Sequence, residues 1–246
     1  MGKMKQRERS GIVDYFRAQK ENLGNALRFE PYAILFPLVD QLYSASIALV
    51  PRDKSPVFGK LLLICHKSFL AAASLIGQAQ PDDAAPITRR AIEVVALADA
   101  IKTDRKSATK WAAFEDRMKR WQDRQEGKKP KSLKVHLEAK HPNTRRLMET
   151  RGILSDAAVH FTPEFFGSLD WKQGQDSLFL NYFTRDQRTI EREIVSLVGI
   201  HVMILQVFNW CFDNVWNESS EWRGLLCELE AKGKPYAAQF EPRGEE

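Results

Sequence analysis

Arg90 and Glu93 are the first residues of the chain whose types and spacing could do chemistry. They lie three positions apart in the segment 82–101, so on a helix their side chains are within reach of each other. With Ile87 as the origin of a helical projection, Arg90 points into an apolar face that is formed by Ile87, Ala91, Val94, Ala98 and Ile101. A buried guanidinium without a partner is costly, so the pattern predicts a buried ion pair between Arg90 and Glu93.

Three interpretations of this pair remain open. It is a structural ion pair that fixes the register of the helix, or it is a ligand-binding or catalytic pair. In the third interpretation, the aliphatic stem of Arg90 runs along the apolar face and its guanidinium reaches solvent. We predict that replacing Arg90 by alanine destabilises the fold by several kcal/mol, because it leaves the carboxylate of Glu93 without its partner and removes packing.

A second group of candidate residues contains Ser155 and three histidines. Ser155 can cap a short helix, and His160 lies at the end of that helix, where the helix dipole favours a protonated imidazole. His201 falls on the apolar seam of a long predicted helix and is therefore buried or faces a pocket. His66 lies in an apolar helix and is expected to be a core histidine bonded to a backbone carbonyl.

These residues lead to two hypotheses about function. In the first, Arg90, Glu93 and His160, with Ser155, His66 or His201, form a polar pocket that binds an anionic ligand or a partner chain. In the second, His160 is the acid or base of a metal-independent nuclease, and Arg90 or Arg151 stabilises the transition state. The nucleotide-binding, hydrolase and metal-ligand motifs are absent from the sequence, so we expect no metal and no cofactor.

The elements that must position these residues are predicted to be helices. The pattern favours an all-α, multi-helix bundle with a short β-hairpin inserted near residues 169–183. We expect an N-terminal helix and arm at 1–30, one bundle domain at 31–232 and a loose tail at 233–246. The longest helix is predicted to run from 184 to about 216, with a seam of Ile190, Ile194, Leu197, His201, Ile204, Phe208, Cys211 and Val215.

Charge and cysteine content restrict the partners and the compartment. Residues 102–151 contain sixteen Lys or Arg and seven Asp or Glu, a net charge of +9 in a chain whose total is +5. This basic region fits an anionic ligand or RNA, although a solvated helix and loop would look the same. Three cysteines without a C-x-x-C pattern, and no leader or clear membrane span, predict a cytoplasmic protein with no membrane partner. A homo-oligomer is compatible with the sequence.

The order of Arg90-x-x-Glu93 and then Ser155-x-x-x-x-His160 resembles a family of bacterial all-helical domains of unknown activity. This resemblance covers about residues 57–160 and implies a helical bundle. A more distant likeness is to HEPN-type helical domains, many of which are RNases of toxin and defence systems with Arg, four to six residues and His as their signature. That likeness implies a metal-independent RNase, but eight residues separate Arg151 from His160 and so depart from the signature.

Overall fold

The computed structural model describes residues 11–51, 56–103, 125–127, 139–158, 183–184 and 186–240. Within these ranges the chain is all-helical and contains no strand, which confirms the all-α part of the predicted fold class. The predicted hairpin at 169–183 lies outside the described residues, apart from Phe183, and stays a prediction. The helices are α1 (Gly11–Ala26), α2 (Glu30–Ala48), α3 (Pro56–Gly77), α4 (Pro81–Thr103), α5 (Pro142–Ala158), α6 (Gln187–Cys211), a 3-10 turn (Val215–Glu218) and α7 (Ser220–Ala237).

The bundle is organised around α3, α4 and α6. Helix α4 packs against α3, α5 and α6, and α2 packs against α3, α6 and α7. Their buried side chains form one hydrophobic cluster that draws on every helix from α2 to α7. Val57–Gly77 and Gln187–Cys211 are long and apolar enough to cross a membrane by length and composition, and much of each helix is buried inside the bundle. Burial of these two apolar helices supplies a large part of the hydrophobic stabilisation.

Helix α6 follows its predicted seam but not its predicted ends. The five seam residues from Ile194 to Phe208 are all buried, as expected from the 3.6-residue period. The helix begins at Gln187 instead of 184, and the carboxylate of Asp186 caps it by accepting a hydrogen bond from the amide of Arg188. The helix ends at Cys211, since Asp213 and Asn214 both adopt positive φ angles.

Two helices continue past a proline or past a predicted boundary. Helix α2 continues through Pro37, which lies on its exposed side, so the carbonyl that loses its hydrogen bond can meet solvent. Helix α7 continues past residue 232, and its last turn includes Tyr236, which packs against the hydrophobic core. The segment that follows the bundle therefore begins later than the predicted tail at 233–246.

Helix α1 lies against α3. Near its start, Tyr15 is partly buried, whereas Ile12, Val13 and Phe16 are exposed. Docking depends on Gly77 at the end of α3, where an added Cβ would lie 2.9 Å from Leu23 of α1 and 2.7 Å from the hydroxyl of Tyr32. The absence of a side chain at this position allows the close approach of α1 and α2.

Candidate functional site

The predicted burial of Arg90 is wrong: its side chain is exposed. The buried face of α4 is centred on Thr88, Ala91 and Val95, about a fifth of a turn away from the face centred on Ile87. This rotation moves Arg90 to the solvent side, so the third interpretation of the sequence is the closest. No hydrogen bond or ion pair of Arg90 is found within the described part of the chain.

Glu93 pairs with two other arginines. Its Oε1 atom accepts a hydrogen bond from the Nε atom of Arg89 at 3.2 Å and from the Nε atom of Arg151 at 2.9 Å. A second guanidinium nitrogen of Arg151 lies 2.8 Å from the same oxygen. The carboxylate is about half exposed, and the two arginines are one-quarter to one-third exposed. Glu93 therefore joins α4 to α5 at the surface, and it does not sit in the core. We call Arg89, Arg90, Glu93 and Arg151 the arginine cluster.

The exposure of Arg90 leads to a direct prediction. Arg90→Ala should change the melting temperature by less than about 2 °C, because exposed substitutions away from structural contacts usually cost about 0.5 kcal/mol or less. Arg151→Ala, which removes the bridge from α5 to Glu93, should cost roughly 0.5–1 kcal/mol, as expected for a partly exposed ion pair. Thermal denaturation followed by circular dichroism compares the two variants. A loss of many degrees in Arg90→Ala would restore the buried-arginine interpretation.

His201 is fully buried, and it lies between α2 and α3 rather than beside Glu93. Its Nδ1 atom shares a 2.7 Å hydrogen bond with the hydroxyl of Tyr43, and its ring contacts Phe69 edge to face. The Nε2 atom has no hydrogen-bond partner among the residues described. Burial, assisted by the nearby charge of His66, lowers the pKa of His201 from 6.5 to about 3. His201 is therefore neutral at physiological pH and is a component of the core.

His66 has a different partner from the one predicted. Its Nε2 atom donates to the Oδ1 atom of Asp40 at 2.6 Å, instead of to the predicted backbone carbonyl. The imidazole also stacks on the ring of Tyr43, with 4.8 Å between the ring centroids. The hydrogen-bonded pairs Asp40–His66 and Tyr43–His201 thus meet where His66 stacks on Tyr43, between the surface of α2 and the core. The sequence signal for Asp40 was available, since it is the only charged residue between positions 31 and 49.

Asp99 is a buried charge that the spacing of residues in the sequence does not predict. Its side chain is fully buried and accepts hydrogen bonds from the backbone amides of Lys140 and His141, at 3.1 Å and 2.9 Å to Oδ2. These amides immediately precede α5, where backbone donors lack helical partners and the helix dipole favours a negative charge. Asp99 therefore fixes the start of α5 on α4, and so it helps to place Arg151 beside Glu93.

His141 completes this end of the bundle. Its Nδ1 atom accepts a hydrogen bond from the amide of Asn143 at 3.2 Å, so that nitrogen carries no proton. The ring lies 5.3 Å from the ring of Trp210, and Asn143 donates to the side chain of Gln206 at 2.6 Å. Burial lowers the pKa of His141, while the negative charge of Asp99 acts in the opposite direction. This arrangement ties the start of α5 to α6.

The structure does not bring the predicted pocket residues together. Arg90 and Glu93 lie on the surface of α4, whereas His201 lies in the core beside Tyr43. Ser155 falls inside α5 and not at a helix start, so the predicted cap is wrong. His160 lies outside the described residues. In the described ranges no group of three metal-ligating side chains is found.

The arrangement that remains is a set of guanidinium groups held at the α4–α5 surface. Such groups bind carboxylates and phosphates, and the cluster contains no nucleophile or base other than Glu93, which is already bonded to two arginines. Comparison of the chain with known protein families, with curated proteins and with solved structures finds no match.

Proposed function

We propose that this protein is a helical binding module that takes an anionic ligand or partner on the arginine cluster. The observation that carries the proposal is the double pairing of Glu93 with Arg89 of α4 and Arg151 of α5. One carboxylate holds two guanidinium groups from two helices at one place, so less side-chain entropy is lost when a ligand binds them. Arg90 is exposed nearby on the same helix and adds a third cation.

The charge of the site supports an anionic ligand. The arginine cluster contains three guanidinium groups and one carboxylate, which gives it a net charge of +2. Arg145 and Arg146 are exposed on α5, so the same helix carries further cations towards its start. A planar guanidinium group can bind two phosphate oxygens at once. A ligand with many phosphates, such as RNA, would contact several of these arginines. A cytoplasmic location would give access to such ligands.

RNA is the best first probe because it also addresses the nuclease hypothesis. Arg151 belongs to the arginine cluster, and it precedes His160 by nine positions in the sequence. If the protein is an RNase of the HEPN-like kind, the same RNA should be cut without added metal, and His160→Ala should abolish the cleavage while leaving binding in place. If RNA is bound and stays intact, the binding module is the correct function.

The test is fluorescence anisotropy with a labelled 20-nucleotide single-stranded RNA at several salt concentrations. The double variant Arg89→Ala/Arg151→Ala should bind at least ten-fold more weakly, and its salt dependence should fall by roughly one unit of slope for each lost phosphate contact. Arg223→Ala is the matched control, because Arg223 is exposed on α7, away from the cluster. Equal affinities of the double variant and the wild type would overturn the proposal, and so would the absence of any binding to RNA or to inorganic polyphosphate.

A further inference from the structure

The guanidinium group of Arg89 leaves most of its hydrogen-bond donors unused. Its Nε atom donates to Glu93, while its two terminal nitrogens have no partner among the residues that the structure describes. The side chain of Arg89 is 24% exposed, so solvent reaches part of it. A guanidinium group carries five N–H donors in one plane, and two of them can bind two oxygens of an anion at once. The terminal edge of Arg89 is therefore available for an anion.

The guanidinium group of Arg151 converges on the same point. Both arginines donate to one oxygen atom, Oε1 of Glu93, over 3.2 Å from Arg89 and 2.9 Å from Arg151. The two Nε atoms therefore lie within about 6 Å of each other, a separation that the oxygens of one phosphate group can span. The two arginines come from α4 and α5, which pack directly against each other. The positive charge is thus concentrated at one place on the surface.

The charge of the arginine cluster fits a phosphate monoester better than other anions. Three guanidinium groups and one carboxylate give a net charge of +2. A phosphate monoester carries about −1.5 to −2 at neutral pH and offers three acceptor oxygens at one point. A diester in a nucleic-acid backbone carries a single negative charge, and successive diesters lie apart along the strand. A lone carboxylate on a ligand would only repeat the contact that Glu93 already makes.

We propose that the arginine cluster binds the terminal phosphate monoester of an RNA strand, through the terminal edge of Arg89 together with Arg90 and Arg151. This inference rests on the proposed function, because it names the part of the anionic ligand that the cluster takes. Arg145 and Arg146 are exposed nearer the start of α5 and add positive charge outside the cluster, where the backbone that follows the terminal phosphate would gain from it. A mononucleotide or a phosphopeptide has no such row of further phosphates.

The experiment is fluorescence anisotropy with one internally labelled RNA that carries a phosphate at its 5′ end, at its 3′ end or at neither end. A phosphate at the recognised end should tighten binding to the wild type roughly ten-fold or more, because it adds a paired, charge-assisted contact. Arg89→Lys/Arg151→Lys keeps the net charge but replaces each planar fork by a single ammonium group. This variant should bind the unphosphorylated RNA within about two-fold of the wild type and lose most of the preference for the phosphate.

Arg146→Ala is the matched control for general electrostatic attraction. It removes an exposed cation outside the cluster, so it should weaken the binding of all three RNAs by the same factor and leave their ratios unchanged. Circular dichroism verifies that the variants remain folded.

The outcomes separate this inference from the proposed function. If the wild type binds RNA with equal affinity whether or not an end is phosphorylated, the terminal-phosphate inference is wrong and the binding module stands. If the wild type binds neither RNA nor polyphosphate, both are wrong. A phosphate preference that persists in Arg89→Lys/Arg151→Lys would place the recognition elsewhere and overturn the inference. Competition by adenosine monophosphate or a phosphoserine peptide at the concentrations at which the phosphorylated RNA competes would overturn the assignment to RNA.

Discussion

Asp99→Ala is expected to lower the free energy of unfolding by about 3 kcal/mol, because removal of one member of a buried charged network leaves its partners unsatisfied. The partners are the backbone amides of Lys140 and His141, which bond to the carboxylate of Asp99 at the start of α5. For a chain of this length, a loss of that size corresponds to a fall of roughly 10 °C in the melting temperature.

The position of Asp99 explains the size of this effect. The side chain is fully buried, so water cannot replace the lost carboxylate without a change in the packing of α4 and α5. The two amides are partly buried where the preceding chain enters the helix, and they would lose an acceptor that the helix itself cannot supply. The substitution should therefore first detach the start of α5 from α4. This change would also displace Arg151 from Glu93.

Chemical denaturation of three variants separates the contributions. Asp99→Asn keeps one acceptor oxygen and should be less destabilising than Asp99→Ala. Glu230→Ala removes an exposed carboxylate from α7 and should leave stability within about 0.5 kcal/mol of the wild type. If Asp99→Ala were as stable as Glu230→Ala, Asp99 would have no role in holding α5. The RNA affinity of Asp99→Asn tests whether Asp99 also positions Arg151, since misplacement of Arg151 should weaken RNA binding.

The helix period in the sequence predicts the buried face of α6 well and that of α4 less well, and the difference has a physical cause. The seam of α6 is made of large side chains at strict spacing, so one face is clearly the apolar one. In α4, alanine appears on several sides, and two overlapping stripes are compatible with the sequence. The packing of α3 and α5 on either side of α4 selects the stripe through Thr88 and Val95. That selection is what places Arg90 in solvent.

The polar contacts of the core could not be read from spacing alone. Asp99 meets amides about forty positions later, and His201 of α6 meets Tyr43 of α2, so no local pattern connects them. The available signal was a single charged residue in an apolar run, as for Asp40 and for Asp99 between positions 94 and 101. A lone charge in such a run indicates a specific buried or half-buried partner, because an unpaired one would be too costly.

The second large effect concerns His201 and acid. The pKa of His201 is lowered to about 3 in the folded protein, against 6.5 in an unfolded chain. Above pH 6.5 neither state binds a proton at this residue, so it costs no stability there. As the pH falls below 6.5, the unfolded state takes up the proton and the folded state does not, and the free energy of unfolding falls. The loss is about 2 kcal/mol at pH 5 and about 5 kcal/mol below pH 3, at 1.36 kcal/mol for each unit.

A titration-deficient variant isolates this contribution from that of the carboxylates. His201→Gln can still hydrogen-bond to Tyr43 but has no proton to take up, so its stability should fall less steeply between pH 7 and pH 5 than that of the wild type. Between pH 7 and pH 5 the wild type should lose about 2 kcal/mol more unfolding free energy than His201→Gln, or roughly 4–8 °C more in melting temperature. Urea denaturation at closely spaced pH values gives the two curves.

Tyr43→Phe serves as the control that separates titration from packing. It removes the hydroxyl that bonds to the Nδ1 atom of His201, and it keeps the aromatic ring in the core. This variant should be less stable at every pH, by about 1–3 kcal/mol, because the Nδ1 atom of His201 then loses its buried hydrogen-bond partner. Its pH dependence should remain as steep as that of the wild type, since His201 still titrates in the unfolded state. Parallel curves for the wild type and His201→Gln would show that His201 does not take up a proton on unfolding in this range, and that acid acts through other groups.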